Sequence, residues 1–231
     1  TDIATVTNMF TLEGVFYLDT YTTEASQENL TLSFYEVESF NNIIMGTDKN
    51  DTLTGTDQND TILALKGDDI VYGGDGNDEI YAGSGDDSIY GEGGNDTLVL
   101  SGTGTQLFDG GADNDTIQLD LTNWEGSLDP DFDQIIEVNL LDGHSGQKDN
   151  TTLQDTLISI ENIEFIGSYD TELIGDDNDN IIIGDSGNDK IYGGEGHDLL
   201  KSGPGNDEIY GEGGNDTLVL NGTGTQLFDG G

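Results

Sequence analysis

Residues 73–99 read GGDGNDEIYAGSGDDSIYGEGGNDTLV, which divides into three units of nine residues. Each unit begins with small residues, has Asp at its sixth position and has Ile or Leu at its eighth. The same period runs through residues 46–118 and returns in residues 167–231. A fixed short period indicates a solenoid, in which each unit stacks on its neighbours.

Positions 7 to 9 of the unit predict a short strand whose eighth side chain faces the core. One aliphatic residue per unit cannot make a core, so stacked units must pool these residues into a column. Two units then form one coil with a strand on each side, and loops two units apart stack at strand spacing, ~4.8 Å. We therefore predict an all-β fold, a right-handed parallel β-roll. The predicted core column comprises Leu53, Ile62, Val71, Ile80, Ile89, Leu98, Ile182, Ile191, Leu200, Ile209 and Leu218.

The loop half of the unit has the composition of a calcium site. Glycine allows a tight turn through positive φ, which points several carbonyls inward. Calcium takes six to eight hard oxygen ligands, and carbonyls plus a carboxylate supply them. The predicted side-chain ligands are the sixth-position residues Asp51, Asp60, Asp69, Asp78, Asp87, Asp96, Asp115, Asp189, Asp198, Asp207 and Asp216. Further ligands, through loop carbonyls or side chains, are predicted at Asn50, Asn59, Asp68, Asn77, Asp86, Asn95, Asn188, Asn206, Asn215, Gly73, Gly91, Gly193 and Gly211.

The charge balance limits the partners. The 231 residues include 48 acidic and five basic ones, for a formal charge of −43. This excludes nucleic acid, whose phosphates need Lys and Arg, and argues against anionic membrane surfaces. Extreme acidity is also typical of disorder, but here the charges are periodic. The repulsion must be neutralised before the chain can compact, and a divalent cation is the natural agent.

The sequence also has a second, longer period of 120 residues. Residues 91–111 and 211–231 differ at one position, where Ser101 is replaced by Asn221. The chain stops within a repeat, so we expect it to be a segment of a longer protein, with any export signal outside it. No apolar run approaches ~18 residues, which predicts no transmembrane segment. The predicted regions are a β-rich lead-in (1–45), a first roll (46–118), a β-rich linker without repeats (119–166) and a second roll (167–231).

The units resemble the repeats-in-toxin (RTX) family. Residues 73–81 match every position of its motif G-G-x-G-x-D-x-U-x, and residues 160–163 resemble the lead-in often seen before such arrays. The resemblance implies β-rolls with several calcium ions between loops on the same side. It also implies type I secretion to the extracellular space or the cell surface.

Carried over unit by unit, the resemblance implies ions that bridge specific aspartate pairs. Threonine replaces the sixth-position Asp at Thr105 and Thr225, where we expect no ion, and Asn180 predicts a weaker site. An extra residue, assigned to Asp109, leaves the pairing of Asp115 with Asp96 open. The implied pairs are Asp51–Asp69, Asp69–Asp87, Asp60–Asp78, Asp78–Asp96, Asp189–Asp207 and Asp198–Asp216.

Two other patterns have competing interpretations. Tyrosines at the ninth position form either a ladder on the outer face or a stripe that binds sugars or a partner. They are Tyr72, Tyr81, Tyr90, Tyr192 and Tyr210. His197 occupies a fifth position where Asn or Asp is usual, which predicts a weakened ligand position rather than a catalytic residue.

The sequence predicts calcium-induced folding of a secreted or cell-surface structural module, such as a spacer, an adhesin stalk, or a surface-layer or filament subunit. Head-to-tail stacking of solenoid ends would let such modules self-associate into a fibre or a surface layer. No H-E-x-x-H metalloprotease motif is present, and we predict that the chain is not an enzyme. The alternative is a calcium-binding appendage of a type I-secreted enzyme or toxin whose active domain lies outside these residues.

Overall fold

The structure, a computed structural model, describes residues 4–12, 15–23, 42–100, 102–122, 135–148, 154–219, 222 and 224–231. It divides into two compact units, residues 1–40 and residues 41–231. In the first unit, strand β1 (Ala4–Leu12) pairs antiparallel with β2 (Val15–Thr23). The rest of the predicted lead-in before Asn42 lies outside the described residues.

The described residues of the second unit form twenty strands. They are β3 (Asn42–Met45), β4 (Thr52–Thr54), β5 (Asp60–Leu63), β6 (Ile70–Asp75), β7 (Glu79–Tyr81), β8 (Ser88–Gly93), β9 (Thr97–Leu100), β10 (Leu107–Ala112), β11 (Thr116–Asp120), β12 (Ile136–Asn139), β13 (His144–Gln147), β14 (Gln154–Ile158), β15 (Asn162–Ile166), β16 (Thr171–Ile174), β17 (Ile181–Ile183), β18 (Lys190–Gly196), β19 (Leu199–Lys201), β20 (Glu208–Gly214), β21 (Thr217–Val219) and β22 (Leu227–Asp229).

Within the arrays, successive strands alternate between two sheets, as the nine-residue period predicts. One sheet has nine strands in the order β21-β19-β17-β15-β11-β9-β7-β5-β3, all parallel. The other has eleven strands in the order β22-β20-β18-β16-β12-β13-β14-β10-β8-β6-β4. Each sheet runs without a break from the first array into the second. The predicted all-β parallel solenoid is confirmed.

The eighth-position side chains form the core. Ile62 pairs in register with Ile80, and Ile80 pairs with Leu98, so one buried column follows the nine-stranded sheet. Val71 and Ile89 begin the matching column of the eleven-stranded sheet. Burying each such side chain contributes about 1.5–3 kcal/mol, and stacking makes those contributions continuous.

The described residues between the arrays add three strands, β12 to β14, to the eleven-stranded sheet and one, β15, to the nine-stranded sheet. The antiparallel strand β13 lies between β12 and β14 in the eleven-stranded sheet. On the opposite face β11 pairs directly with β15, and β15 with β17. Val138 and Phe165 carry the core through this region and are fully buried. The predicted linker region therefore contributes strands to both sheets of the same solenoid.

The outer face carries the tyrosines. Tyr72 stacks on Tyr90 with ring centroids 5.2 Å apart, and Tyr192 stacks on Tyr210 at 5.0 Å. Rings in register on adjacent strands stabilise one another, as in a cross-strand ladder. In the part of the chain that the structure describes, no helix is long and apolar enough to cross a membrane.

Candidate metal centres in the stacked loops

Backbone amides join the sixth-position aspartates of successive coils. The N–H of Asp60 donates to Oδ1 of Asp78, and the N–H of Asp78 donates to Oδ1 of Asp96, both at 2.8 Å. The calcium bridge itself stays a prediction, but the carboxylates that it requires are adjacent. The same hydrogen bond joins all six implied pairs, Asp51–Asp69, Asp69–Asp87, Asp60–Asp78, Asp78–Asp96, Asp189–Asp207 and Asp198–Asp216.

The second carboxylate oxygen of most of these residues is buried and accepts no hydrogen bond. A buried acceptor without a donor is costly, on the order of 1–3 kcal/mol each and more for a charged group. A repeated set of such atoms therefore indicates a missing positive partner. The atoms are Oδ1 of Asp60 and Oδ2 of Asp69, Asp78, Asp87, Asp96, Asp115, Asp189, Asp198 and Asp216.

Loop carbonyls converge on these free oxygens. A Cβ added to Gly73 would lie 2.6 Å from Oδ2 of Asp78 and 2.6 Å from the carbonyl oxygen of Gly91, one coil further on. A Cβ on Gly193 would meet Asp198 and Gly211 in the same way. Glycine at the first position therefore keeps open a small space between a carboxylate and a carbonyl of adjacent coils.

The loops have two conformations, which differ in whether the sixth-position carboxylate accepts a hydrogen bond from its own loop. In closed loops the backbone N–H of the second residue donates to the carboxylate of the sixth, as that of Thr56 does to Oδ2 of Asp60 at 2.6 Å. Asp51 is closed in the same way by Thr47. In open loops the second residue is usually left-handed, as Gly74 is with φ +109°, and Oδ2 of Asp78 has no donor. Open loops therefore leave an oxygen for a cation, whereas closed loops already satisfy one.

The electrostatics agree with the geometry. Burial first, and then the charges of neighbouring Asp115 and Asp78, raise the pKa of Asp96 to about 7. Burial likewise raises the pKa of Asp87, Asp115 and Asp189 to about 6. Desolvation and like charges both disfavour the ionised carboxylate. Without a cation these carboxylates are poorly accommodated as anions in the folded chain.

The fifth-position side chains accept hydrogen bonds from the backbone of the next coil. Oδ1 of Asn77 accepts the N–H of Asn95 from the next coil at 3.0 Å, and Nδ1 of His197 accepts the N–H of Asn215. Their oxygens or ring nitrogen therefore cap the exposed outer edge of the loops, and their predicted role as calcium ligands stays a prediction. The same capping is made by the side chains of Asn50, Asn59, Asp68, Asp86, Asn95, Asn188 and Asn206.

The register corrects the two predicted gaps in the ladder. Phe108, not Leu107, pairs with Ile89, so Gln106 and not Thr105 lies opposite Asp87. The extra residue therefore lies before Gln106 and not at Asp109. The amide of Gln106 donates to the carbonyl of Gly85 at 2.8 Å. A side-chain donor thus occupies the position of the expected gap.

The second array repeats this correction. Phe228 pairs with Ile209, which places Gln226 and not Thr225 opposite Asp207. Its amide donates to the carbonyl of Gly203 and to Oδ2 of Asp207, at 3.4 and 3.3 Å. Oδ2 of Asp207 also accepts the hydroxyl of Ser202, so this carboxylate is satisfied without a cation.

The open question about Asp115 is resolved by its hydrogen bond to the preceding coil. The N–H of Asp96 donates to Oδ1 of Asp115 at 2.8 Å, so the extra residue is absorbed without breaking the ladder. Asn180, predicted as a weak position, has a closed loop with Asp176 and donates its amide to the carbonyl of Glu161.

One buried acid was missed by the sequence analysis. Asp155 accepts the N–H of Gln106 and the hydroxyl of Ser145, each at 2.9 Å, and burial raises its pKa to about 6. It continues the ladder of carboxylates into the linker region, but both of its oxygens have donors. No nonapeptide signal surrounds it, so only the three-dimensional register identifies it.

The residues therefore fit calcium. Buried carboxylate oxygens without donors face carbonyls of the next coil, and hard oxygens are the ligands that calcium takes. Among the described residues, no three acidic or histidine side chains converge on one point. Backbone carbonyls would therefore supply much of the coordination.

Comparison with known proteins agrees with this chemistry. The family model for the RTX calcium-binding nonapeptide repeat, in four copies, matches residues 38–71, 64–98, 165–200, 174–207 and 195–222. These matches together cover more than half of the chain. No curated protein matches it.

Proposed function

The chain belongs to the family of RTX calcium-binding nonapeptide-repeat proteins, and from this premise we propose that it is a structural module of a secreted or cell-surface protein that folds when it binds several calcium ions. The observation that carries the proposal is the set of buried aspartate oxygens without donors, which recurs through both arrays. Because these oxygens are buried without donors, they disfavour the charged carboxylates of the folded chain and favour the binding of divalent cations.

The two carboxylate oxygens of a ladder aspartate have different roles. In ladder aspartates such as Asp78 and Asp96, Oδ1 accepts a backbone N–H and so holds adjacent coils in register, while Oδ2 is left without a donor beside the carbonyl of the next coil. A calcium ion bound there supplies two positive charges between carboxylates that otherwise repel. Binding free energy that is available only to the folded chain becomes folding free energy.

This linkage would let the environment control folding. Extracellular calcium modules bind at ~10⁻⁴ to 10⁻³ M. At the far lower calcium concentration of a cytosol, repulsion at a formal charge of −43 would keep the chain unfolded and suited to type I secretion. Calcium outside the cell would then drive the solenoid to form.

The tandem modules favour a spacer, stalk, surface-layer or filament role. The 21-residue repeated segment differs at one position between the two modules, and both sheets continue from one array into the other. A solenoid extended in this way is long and stiff, because each coil contacts only its neighbours. A non-catalytic role follows from this reading. The alternative function is that of a calcium-binding appendage of a secreted enzyme or toxin. A full-length protein that carries a hydrolase or pore-forming domain beside these modules would favour this alternative.

The direct test is circular dichroism of the purified chain after calcium depletion and after addition of calcium to millimolar concentration. We expect a largely unfolded spectrum without calcium, and a β-rich spectrum with it. Magnesium at the same concentration is the control, because it demands a stricter octahedral geometry than stacked carbonyls offer. A chain that is equally β-rich after depletion at pH 7.5 would overturn the proposal.

A further inference from the structure

The first array is joined to the linker region by a loop that has no repeat sequence. The N–H groups of Glu161 and Asn162 both donate to the carbonyl of Asp115, at 3.1 and 2.9 Å. The amide of Asn162 also donates to Oδ1 of Asn114 at 2.7 Å. The loop before β15 is therefore seated on the last loop of the first array, although 46 residues separate Asp115 from Glu161.

This loop reproduces the surroundings of an open repeat loop. A Cβ added to Gly110 would lie 2.5 Å from Oδ2 of Asp115 and would also collide with the carbonyl oxygen of Ser159. In the arrays, the first-position glycine of the next coil supplies this carbonyl, as Gly91 does beside Gly73. Beside Gly110, Ser159 supplies it instead. Its left-handed φ of +50°, uncommon for a residue with a Cβ, fixes the direction of that carbonyl.

The carboxylate oxygen at this place has no donor. Asp115 is completely buried, and its Oδ2 has no hydrogen-bond partner. Its Oδ1 accepts the N–H of Asp96, so the side chain is held with Oδ2 directed toward the space beside Gly110.

A second carboxylate completes the set. Oε2 of Glu161 accepts the N–H of Asp115 at 2.8 Å, which is the contact that a sixth-position aspartate makes in the arrays. The pairing of Asn162 with Thr116 places Glu161 opposite Asp115 in register.

We propose that Asp115, Glu161 and the carbonyl of Ser159 form a further calcium site between the last nonapeptide unit of the first array and the loop before β15. The proposal rests on the proposed function, since it assumes the same ion. The site joins the first array to the loop before β15. It is the last site of the first array's ladder, because in the next coil the amide of Asn180 donates to the carbonyl of Glu161.

The test compares Glu161→Gln with Glu164→Gln by counting bound calcium in equilibrium dialysis at millimolar free calcium. Gln at position 161 can still accept the N–H of Asp115, so the loop keeps its hydrogen bond while it loses its charge. Glu164 lies on β15, just after Glu161, and accepts a hydrogen bond from the amide of Gln118 on β11. It is the matched control. We expect Glu161→Gln to bind one ion fewer than the wild type, and Glu164→Gln to bind the same number.

Each outcome is decisive. An unchanged count in Glu161→Gln would overturn the site while leaving calcium-driven folding intact, whereas a wild type that binds no calcium would overturn the proposed function first. If Glu161→Gln does not fold, anomalous scattering from a calcium-grown crystal of the wild type settles the matter. A peak between Oδ2 of Asp115 and the Ser159 carbonyl supports the site, and its absence there, with peaks in the arrays, refutes it.

Discussion

The N–H of Asp78 donates a 2.8 Å hydrogen bond to Oδ1 of Asp96, while Oδ2 of Asp96 lies buried without any donor. One carboxylate therefore has two separable tasks, since one oxygen holds the coils in register and the other is left for a cation. Replacing such an aspartate by asparagine keeps the first oxygen and removes the charge.

The shared ladder is tested by Asp78→Asn against Asp51→Asn. Asp78 lies between two neighbours in its ladder, and its Oδ2 is free, so the substitution should remove or weaken two calcium ions. Asp51 lies in a closed loop in which Thr47 already satisfies Oδ2, and its substitution should cost one ion at most. Isothermal titration calorimetry gives the number of ions for each variant.

Equal losses in Asp78→Asn and Asp51→Asn would contradict the ladder. The sites would then be complete within single loops, as in an EF-hand, and the free oxygens would need another explanation.

The pH dependence of the calcium-free chain follows from the raised pKa values. Asp87, Asp115 and Asp189 have pKa values of about 6, and Asp96 of about 7, all above the ~3.9 of an unfolded aspartate. Protonation therefore favours the fold: its contribution is fully present below about pH 4 and is lost as the pH rises through 6 to 7. We expect the calcium-depleted chain to gain β-structure as the pH falls from 8 to 4.

Circular dichroism of resin-depleted protein across that range checks this expectation. Protein saturated with calcium at pH 7.5 serves as the folded reference. A depleted chain whose β-signal grows with rising pH would show that the sign is wrong.

The core column is tested by Ile80→Asp. Ile80 is completely buried between Ile62 and Leu98, so an aspartate there should destabilise the calcium-bound fold by about 3 kcal/mol or more. Glu79→Asp, at the neighbouring outward position, should change stability little. Urea denaturation in saturating calcium measures both. Similar losses at the two positions would mean that the faces of this strand are reversed, because a shift of one residue exchanges them.

Periodicity predicted most of the fold because it specifies local geometry that every unit repeats. Ile80 and Asp78 could be placed from the motif alone, since each coil imposes the same contacts on the next. The assignment failed at Gln106, where a ten-residue unit offers two alignments, and the sequence does not show which residue is extra. Packing chose Phe108 for the core, and this moved Gln106 rather than Thr105 into the ladder.

The junction between the arrays could not be predicted for a different reason. Glu161 is one acid among 48, and its contact with Asp115 spans 46 residues of sequence without a repeat. The direct pairing of β11 with β15, while β12 and β13 enlarge the opposite sheet, is a non-local outcome of packing. Sequence patterns report local preferences, and such a contact leaves no local signal.

The last prediction concerns Gln106→Glu. The amide of Gln106 donates to the carbonyl of Gly85 in the preceding coil, and Oδ2 of Asp87, in the same loop as Gly85, has no donor. A glutamate would withdraw the donor and add a carboxylate opposite Asp87, as Glu161 does opposite Asp115. We expect Gln106→Glu to bind one more calcium ion than the wild type and to need more calcium to fold, because the metal-free repulsion increases. Gln118→Glu, on the outer face beside Glu164, adds the same charge and should leave the ion count unchanged. Equilibrium dialysis of both variants decides the point: an unchanged count in Gln106→Glu would mean that the amide is not what keeps a cation out of this coil.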